Sequence, residues 1–166
     1  MKAAPAALTI RRAADGDREA IWRILESIIR AGETYALPRQ MTQEEALAYW
    51  LEPAHEVFVA DDGGEILGTY YLRENQSAGA DVANCGYMTA PAATGRGVAR
   101  TMCAHSIGRA KERGFGAMRF NFVVATNERA VLLWQSFGFD TVERLPGAFR
   151  HPKLGAVDAL VMHRVL

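Results

Sequence analysis

The sequence predicts an α/β fold: a mixed central β-sheet of about seven strands flanked by about four helices, in one domain spanning residues 1–166. Three observations predict it. Segments with helical apolar spacing are interleaved with segments that alternate apolar and polar residues. Strand Val82–Thr89, a Gly-rich loop, helix Val98–Arg113 and strand Ala117–Val124 follow one another as a βαβ unit, whose strands run parallel. Asp61-Asp62-Gly63-Gly64 joins two earlier strand patterns as a hairpin, so the sheet must also contain antiparallel pairs.

In chain order, Leu8–Arg12 alternates and reads as a first strand. Asp15 or Asp17 then caps a helix in which Ile21, Ile24, Leu25, Ile28 and Ile29 form one apolar stripe, ending near Gly32. Ala31–Gln40 is a loop. Thr42-Gln43-Glu44-Glu45 is a capping box opening a short helix that runs to about Trp50, with Pro53 as the stop. Val57–Ala60 and Ile66–Leu72 are the hairpin strands, and Asn75–Asp81 is a polar turn before Val82–Thr89. After the loop Pro91–Arg96, the helix from Val98 closes at Gly114. Asn127 opens a last helix carrying Ala130, Val131, Leu133, Trp134 and Phe137, and Gly138 ends it. Phe139–Leu145 and Ala159–Val165 are the final strands, joined by a connection over Pro146–Gly155.

Composition bounds the function. Lys+Arg and Asp+Glu are both 19, so formal net charge is zero, which argues against broad nucleic-acid or membrane-surface binding. Cys85 and Cys103 show no metal-ligand or disulfide spacing, so no metal is expected. Met1–Ala7 lacks the apolar run of a signal peptide, and no stretch approaches a bilayer span, so a cytoplasmic location is expected.

Thr94-Gly95-Arg96-Gly97-Val98-Ala99 lies between a strand and a helix. A helix start offers free N–H groups and a positive dipole end to an anion, and glycines let backbone approach a diphosphate. Arg96 and Arg100 add positive charge. The loop alone reads equally as an ordinary Gly-rich turn. A Walker loop needs Gly-Lys-Ser/Thr, and a dinucleotide fingerprint belongs in an early βαβ unit with a later acid; both fit worse.

Over essentially its whole length the chain resembles the GNAT (GCN5-related) N-acetyltransferases. Their Gln/Arg-x-x-Gly-x-Gly/Ala signature stands here as Thr94-x-x-Gly97-x-Ala99, departing at its first position. A second feature stands as Asn127, Ala130, Trp134 and Gly138-Phe139. The resemblance implies a GNAT fold and acetyl-CoA as co-substrate. It implies that backbone at Met88, Thr89 and Ala90 pairs with the pantetheine arm, that Gly95, Arg96, Gly97, Val98 and Ala99 hold the pyrophosphate, and that Asn127 bonds the pantetheine or CoA. The thioester is then expected where strands Val82–Thr89 and Ala117–Val124 splay apart. Trp134 stands beside the cofactor where many members carry a leaving-group Tyr. An indole is not a useful acid, and a core aromatic is the preferred role for Trp134.

Asn84-Cys85-Gly86-Tyr87-Met88 and Phe120–Asn127 resemble the branch that includes the proline-analogue (azetidine-2-carboxylate) N-acetyltransferases. That resemblance makes Asn84 and Asn121 the residues that bind and orient substrate. Thr34, Tyr35 and Tyr87 are expected at the acceptor, while Glu33 in the same loop is expected to face solvent. Cys85 lacks an evident partner for a ping-pong route, and His55, His105 and His163 receive no role. The basic run Phe149–Gly155 reads by default as a solvated hairpin tip. The expected activity is acetyl transfer to a small-molecule amine or amino acid, with a catalytically silent CoA-binding module or a protein acetyltransferase as the alternatives. A homodimer is common in the family.

Overall fold

The computed structural model describes residues 7–76, 78 and 81–166; the Ala/Pro-rich start and part of the polar turn after Glu74 lie outside the described residues. The elements run β1 (Thr9–Arg12), α1 (Arg18–Ala31), α2 (Gln43–Trp50), β2 (Glu56–Asp62), β3 (Glu65–Glu74), β4 (Val82–Thr89), α3 (Val98–Glu112), β5 (Ala117–Val124), α4 (Glu128–Ser136), β6 (Asp140–His151) and β7 (Gly155–Val165). They build one seven-stranded sheet in the order β1-β2-β3-β4-β5-β7-β6. β4 and β5 are parallel, and every other pairing is antiparallel.

Local chemistry sets the boundaries. The capping box forms as expected: Thr42 Oγ1 accepts from Glu45 N–H at 3.2 Å and the Glu45 carboxylate accepts from Thr42 N–H. Gly32 (φ +66°) ends α1 in the left-handed region. Gly114 ends α3 with Phe115 N–H on Ala110 C=O, and Gly138 ends α4 with Phe139 N–H on Trp134 C=O, a Schellman closure in each. Asp17 stands at the N-cap position of α1, one of the two expected residues, but without a capping bond. Neither side chain caps it. The Asp17 carboxylate turns back instead, taking the Ala14 N–H at 2.7 Å and both terminal nitrogens of Arg11.

The last two strands are longer than the sequence suggests. Pro146–Gly155 is expected as a connection, but Pro146–His151 sit inside β6, where the register shifts between Leu145 and Phe149. The bulge absorbs the residues that cannot pair, and Asp158 of β7 accepts the Gly147 N–H at 3.0 Å. The connection therefore contracts to a tight turn before Gly155.

Two apolar layers sandwich the sheet. Ile21, Ile24, Leu25, Ile29 and Trp50 of α1 and α2 cover Val57, Val59, Tyr71 and Met88. Val98, Met102, Ile107 and Trp134 of α3 and α4 cover Phe58, Tyr70, Cys85, Met118 and Phe120. Successive strand residues alternate between the layers. A Cβ on Gly68 of β3 would lie 2.8 Å from Val98 Cγ1, so α3 rests directly on β3 and its first turn is fixed against the sheet.

Candidate active site

β4 and β5 pair only at Val82↔Ala117 and Ala83↔Met118, then diverge. Beyond that point the β4 edge has no strand partner on this side among the described residues. Ala90 N–H donates to Leu67 C=O, and Met88 stands opposite Thr69, so these residues face β3. Strand alternation then turns the main-chain groups of Tyr87 and Thr89 toward the gap. The Tyr87 carbonyl in the gap accepts the Tyr35 hydroxyl at 2.9 Å. Burial raises the Tyr35 phenol well above its ordinary pKa and keeps it a neutral donor.

A hollow of about 680 Å³ runs from this gap to the start of α3. It is lined by Met88, Thr89, Gly95, Gly97, Val98, Ala99, Asn127 and Trp134, among others. Gly95 (φ +84°) and Gly97 (φ +79°) are left-handed, which turns the loop's backbone into the first turn of α3. The first intrahelical N–H bond is Thr101 to Gly97 C=O, so the N–H groups of Val98, Ala99 and Arg100 remain as the helix's open donors. A Cβ on Gly97 would meet nothing within 4 Å, which leaves clear space above those donors. An anionic diphosphate fits this donor set.

The basic side chains divide differently from the sequence reading. Arg96 turns away and pairs with Asp62 at 3.1 Å, anchoring the loop to the β2–β3 turn. Arg100 does line the hollow, with its guanidinium over the Phe137 ring at 5.3 Å. Arg129, which the sequence reading passed over, lines the hollow, and its guanidinium would stand 3.6 Å from a Cβ on Gly95. It sits two residues past Asn127 on α4, a placement only the fold brings to the loop. Ala90 gives its N–H to Leu67 and contributes packing rather than an open donor.

A second hollow, of about 230 Å³, lies on the other side of the gap. Thr34, Tyr35, Tyr87, Asn127 and Trp134 line both hollows, so the two spaces meet at the splay. Asn84, Asn121 and Tyr71 line the second alone. Asn84 is half-buried on β4, with no side-chain hydrogen bond among the described residues. Asn121 is committed: its Oδ1 accepts from Asn75 Nδ2 at 2.9 Å and its Nδ2 donates to Asn75 Oδ1 at 3.2 Å. Asn75 also donates to Arg119 C=O, so the pair pins the irregular stretch of β5 after Phe120.

The aromatic residues have distinct places. The Tyr87 hydroxyl points into the α3 layer, 2.7 Å from Ser106 Oγ, so Tyr87 offers the gap its backbone and ring face. Trp134 packs at 4.8 Å from the Tyr87 ring and 5.2 Å from Phe120, a core aromatic whose edge reaches both hollows. Asn127 occupies the N-cap position of α4, yet its side chain makes no cap bond and remains beside the gap. Among the described residues no group of three or more His, Cys, Asp or Glu is placed to hold a metal. No helix among them is long and apolar enough to cross a membrane.

Comparison with known proteins agrees with this geometry. Residues 21–139 match the acetyltransferase (GNAT) family. N-acetyltransferase aca1 of Schizosaccharomyces pombe is 26% identical over 151 residues, covering 80% of this chain and 72% of that protein. The structure of a GCN5-related N-acetyltransferase from Kribbella flavida superposes with a TM-score of 0.92 at 44% identity, covering 96% of this chain and 98% of that one. A GNAT superfamily phosphinothricin acetyltransferase from Sinorhizobium meliloti, solved in complex with acetyl-CoA, shares the fold with a TM-score of 0.83 at 20% identity, covering 96% and 88%. With the splayed strands, the open helix start and these relatives together, the chain belongs to the GNAT family and is an acetyl-CoA-dependent acetyltransferase.

Proposed function

We propose that the acceptor is a small amine or amino acid, including toxic analogues of the proline type, acetylated by direct attack within a ternary complex. The observation that carries this reading is the pair of hollows meeting at the β4–β5 gap, the smaller of about 230 Å³. That size suits a small molecule. The connection after α1, which brings Thr34 and Tyr35 to this hollow, is tied to the β6–β7 turn by the exposed pair Glu33 and Lys153 at 3.0 Å.

In this reading the pyrophosphate of acetyl-CoA rests on the N–H groups of Val98, Ala99 and Arg100, with Arg129 beside it. The pantetheine arm lies along the β4 edge, taking the Thr89 N–H and the Asn127 amide. This brings the thioester to the gap, within reach of an acceptor held by Asn84 and by the amide valences of Asn121 that Asn75 leaves. The neutral amine nitrogen attacks the carbonyl carbon, and the Asn84 amide and the Tyr87 N–H are donors for the developing oxyanion. The C–S bond then breaks, and the nitrogen, cationic after the attack, gives its extra proton to water as the amide forms. Trp134 offers an N–H donor, not an acid, and the Tyr87 hydroxyl is engaged with Ser106, so CoA departs as the thiolate, plausible for a thiol of pKa ~8.5. An acyl-Cys85 route is disfavoured because burial pushes that thiol up to about 12.

CoA-thiol release measured against amino acids, proline analogues, polyamines and aminoglycosides tests the reading. Turnover with one class is expected, falling by about 10-fold or more in Asn84→Ala while acetyl-CoA affinity is kept. Acetyl-CoA binding without turnover on any small amine, alongside acetylation of a protein, would replace it.

A further inference from the structure

The acceptor hollow has a chemical gap. An alkyl ammonium, with a pKa near ~10, must shed a proton before its nitrogen can attack. Yet no carboxylate and no imidazole lines this hollow among the described residues. What lines it instead is hydroxyl, amide and thiol, and one of those hydroxyls has a continuation.

That hydroxyl belongs to Tyr71 of β3, directly opposite Gly86 of β4. A Cβ on Gly86 would lie 2.5 Å from Tyr71 Cε1 and 2.9 Å from its hydroxyl oxygen. The space that any other residue would fill is therefore taken by the phenol end of Tyr71, which it admits to the acceptor hollow. The ring is held on several sides. It stacks on His55 at 3.9 Å with 7° between planes, and Trp50 meets it edge-on at 4.9 Å. Its hydroxyl is 3.3 Å from the hydroxyl of Tyr49 on α2, and either oxygen can be the donor. Tyr49 is half-buried and reaches the surface.

We propose that Tyr71 and Tyr49 are the route by which the acceptor's proton leaves. The step rests on the amine-acceptor reading. The N–H bond of the bound ammonium breaks as its proton passes to the Tyr71 oxygen. The Tyr71 proton passes to the Tyr49 oxygen, and the Tyr49 proton passes to water. Each phenol gains one proton and gives up another, so both end neutral, and the nitrogen keeps the electron pair with which it attacks. Tyr71 touches substrate in this scheme; Tyr49 acts through it.

The surroundings favour relaying over storing charge. Tyr71 faces Tyr35 from the connection after α1, Tyr49 from α2, His55 from the segment before β2, and Cys85 from β4. Behind His55 stand Glu52 and Arg73. Burial raises the Tyr71 phenol far above its ordinary range, so a phenolate does not accumulate there. Burial also keeps His55 neutral, with Nδ1–H donating to Trp50 C=O and Nε2 accepting from Arg73, which fixes the ring on which Tyr71 stacks.

The test is kcat measured from about pH 6 to about pH 10, spanning the acceptor's titration, for the wild type, Tyr49→Phe and Tyr71→Phe, with acetyl-CoA affinity measured alongside. Both variants keep their rings and hence the packing. Each is expected to lose roughly 10- to 100-fold in kcat near neutrality with unchanged acetyl-CoA affinity. The deficit should shrink as pH climbs toward the amine's own pKa, because a neutral amine enters with no proton to shed. A deficit that is constant with pH would mark a structural role and overturn the relay, as would a Tyr49→Phe enzyme with wild-type kcat. If the wild type acetylates no amine at all, the acceptor reading fails and the relay with it.

Discussion

Gly97→Ala separates the phosphate loop's conformation from its packing. Gly97 holds φ +79°, and a Cβ there would meet nothing within 4 Å, so the substitution introduces left-handed strain without a clash. That strain costs about 1–2 kcal/mol for a residue with a Cβ. Gly114 is the matched control. It holds φ +84°, also with open space around it, at the far end of the same helix. In a domain of this size about 1–2 kcal/mol lowers Tm by roughly 2–8 °C, and both variants should show it. Acetyl-CoA affinity should diverge. In Gly97→Ala the strain falls on the loop that presents the Val98, Ala99 and Arg100 N–H groups, and relaxation of the loop weakens binding by about 5- to 30-fold. Gly114→Ala should bind as the wild type does. Thermal unfolding and isothermal titration with acetyl-CoA read both quantities. A Gly97→Ala protein that loses Tm yet binds acetyl-CoA at wild-type affinity would refute the assignment of this loop to the pyrophosphate.

Three further substitutions or titrations probe other parts of the fold. Gly86→Ala should displace the Tyr71 ring, costing about 1–3 kcal/mol in stability and most acceptor turnover, while acetyl-CoA titration stays near wild type because the other hollow is untouched. Asp17→Asn should cost about 2 kcal/mol at neutral pH, since Arg11 holds the Asp17 carboxyl below its usual range. A depressed carboxyl contributes stability above its unfolded pKa and loses it as pH falls through the folded value, so denaturation curves of the two proteins should converge in strong acid. Burial lowers the pKa of His55 and of His105, so the folded chain prefers both neutral. Their contribution is complete above an unfolded pKa of about 6.5 and is lost as pH falls toward the folded values; Tm should drop across that limb, and less so in His55→Gln.

The regions most legible in the sequence are those where local chemistry decides. Val82–Thr89 and Ala117–Val124 emerge with the boundaries their alternation suggests, because Asp81 and Pro91 punctuate the first and Gly116 and Asn127 the second. The Thr42–Glu45 box and the glycines after α1, α3 and α4 work for the same reason: the signal and the structure it specifies lie within one turn. The β6–β7 hairpin was underestimated because Pro146 and Gly147 break regular pairing, and a sequence does not show that a bulge with Asp158 opposite accommodates them. The site residues that escaped notice act across the fold. Arg129 becomes a phosphate-loop neighbour only when α4 docks beside α3. Tyr71 enters the acceptor hollow only because Gly86 faces it from the next strand. Asn75 claims the Asn121 amide from a turn 46 residues away.

Hydrogen–deuterium exchange with and without acetyl-CoA tests the placement of the cofactor along the β4 edge and at the start of α3. New protection is expected at Tyr87 and Thr89, whose main-chain groups face the gap, and at Val98–Arg100, whose N–H groups start α3 without intrahelical partners, with little change in β1 and β2. Protection appearing elsewhere, with both of these segments unchanged, would contradict it.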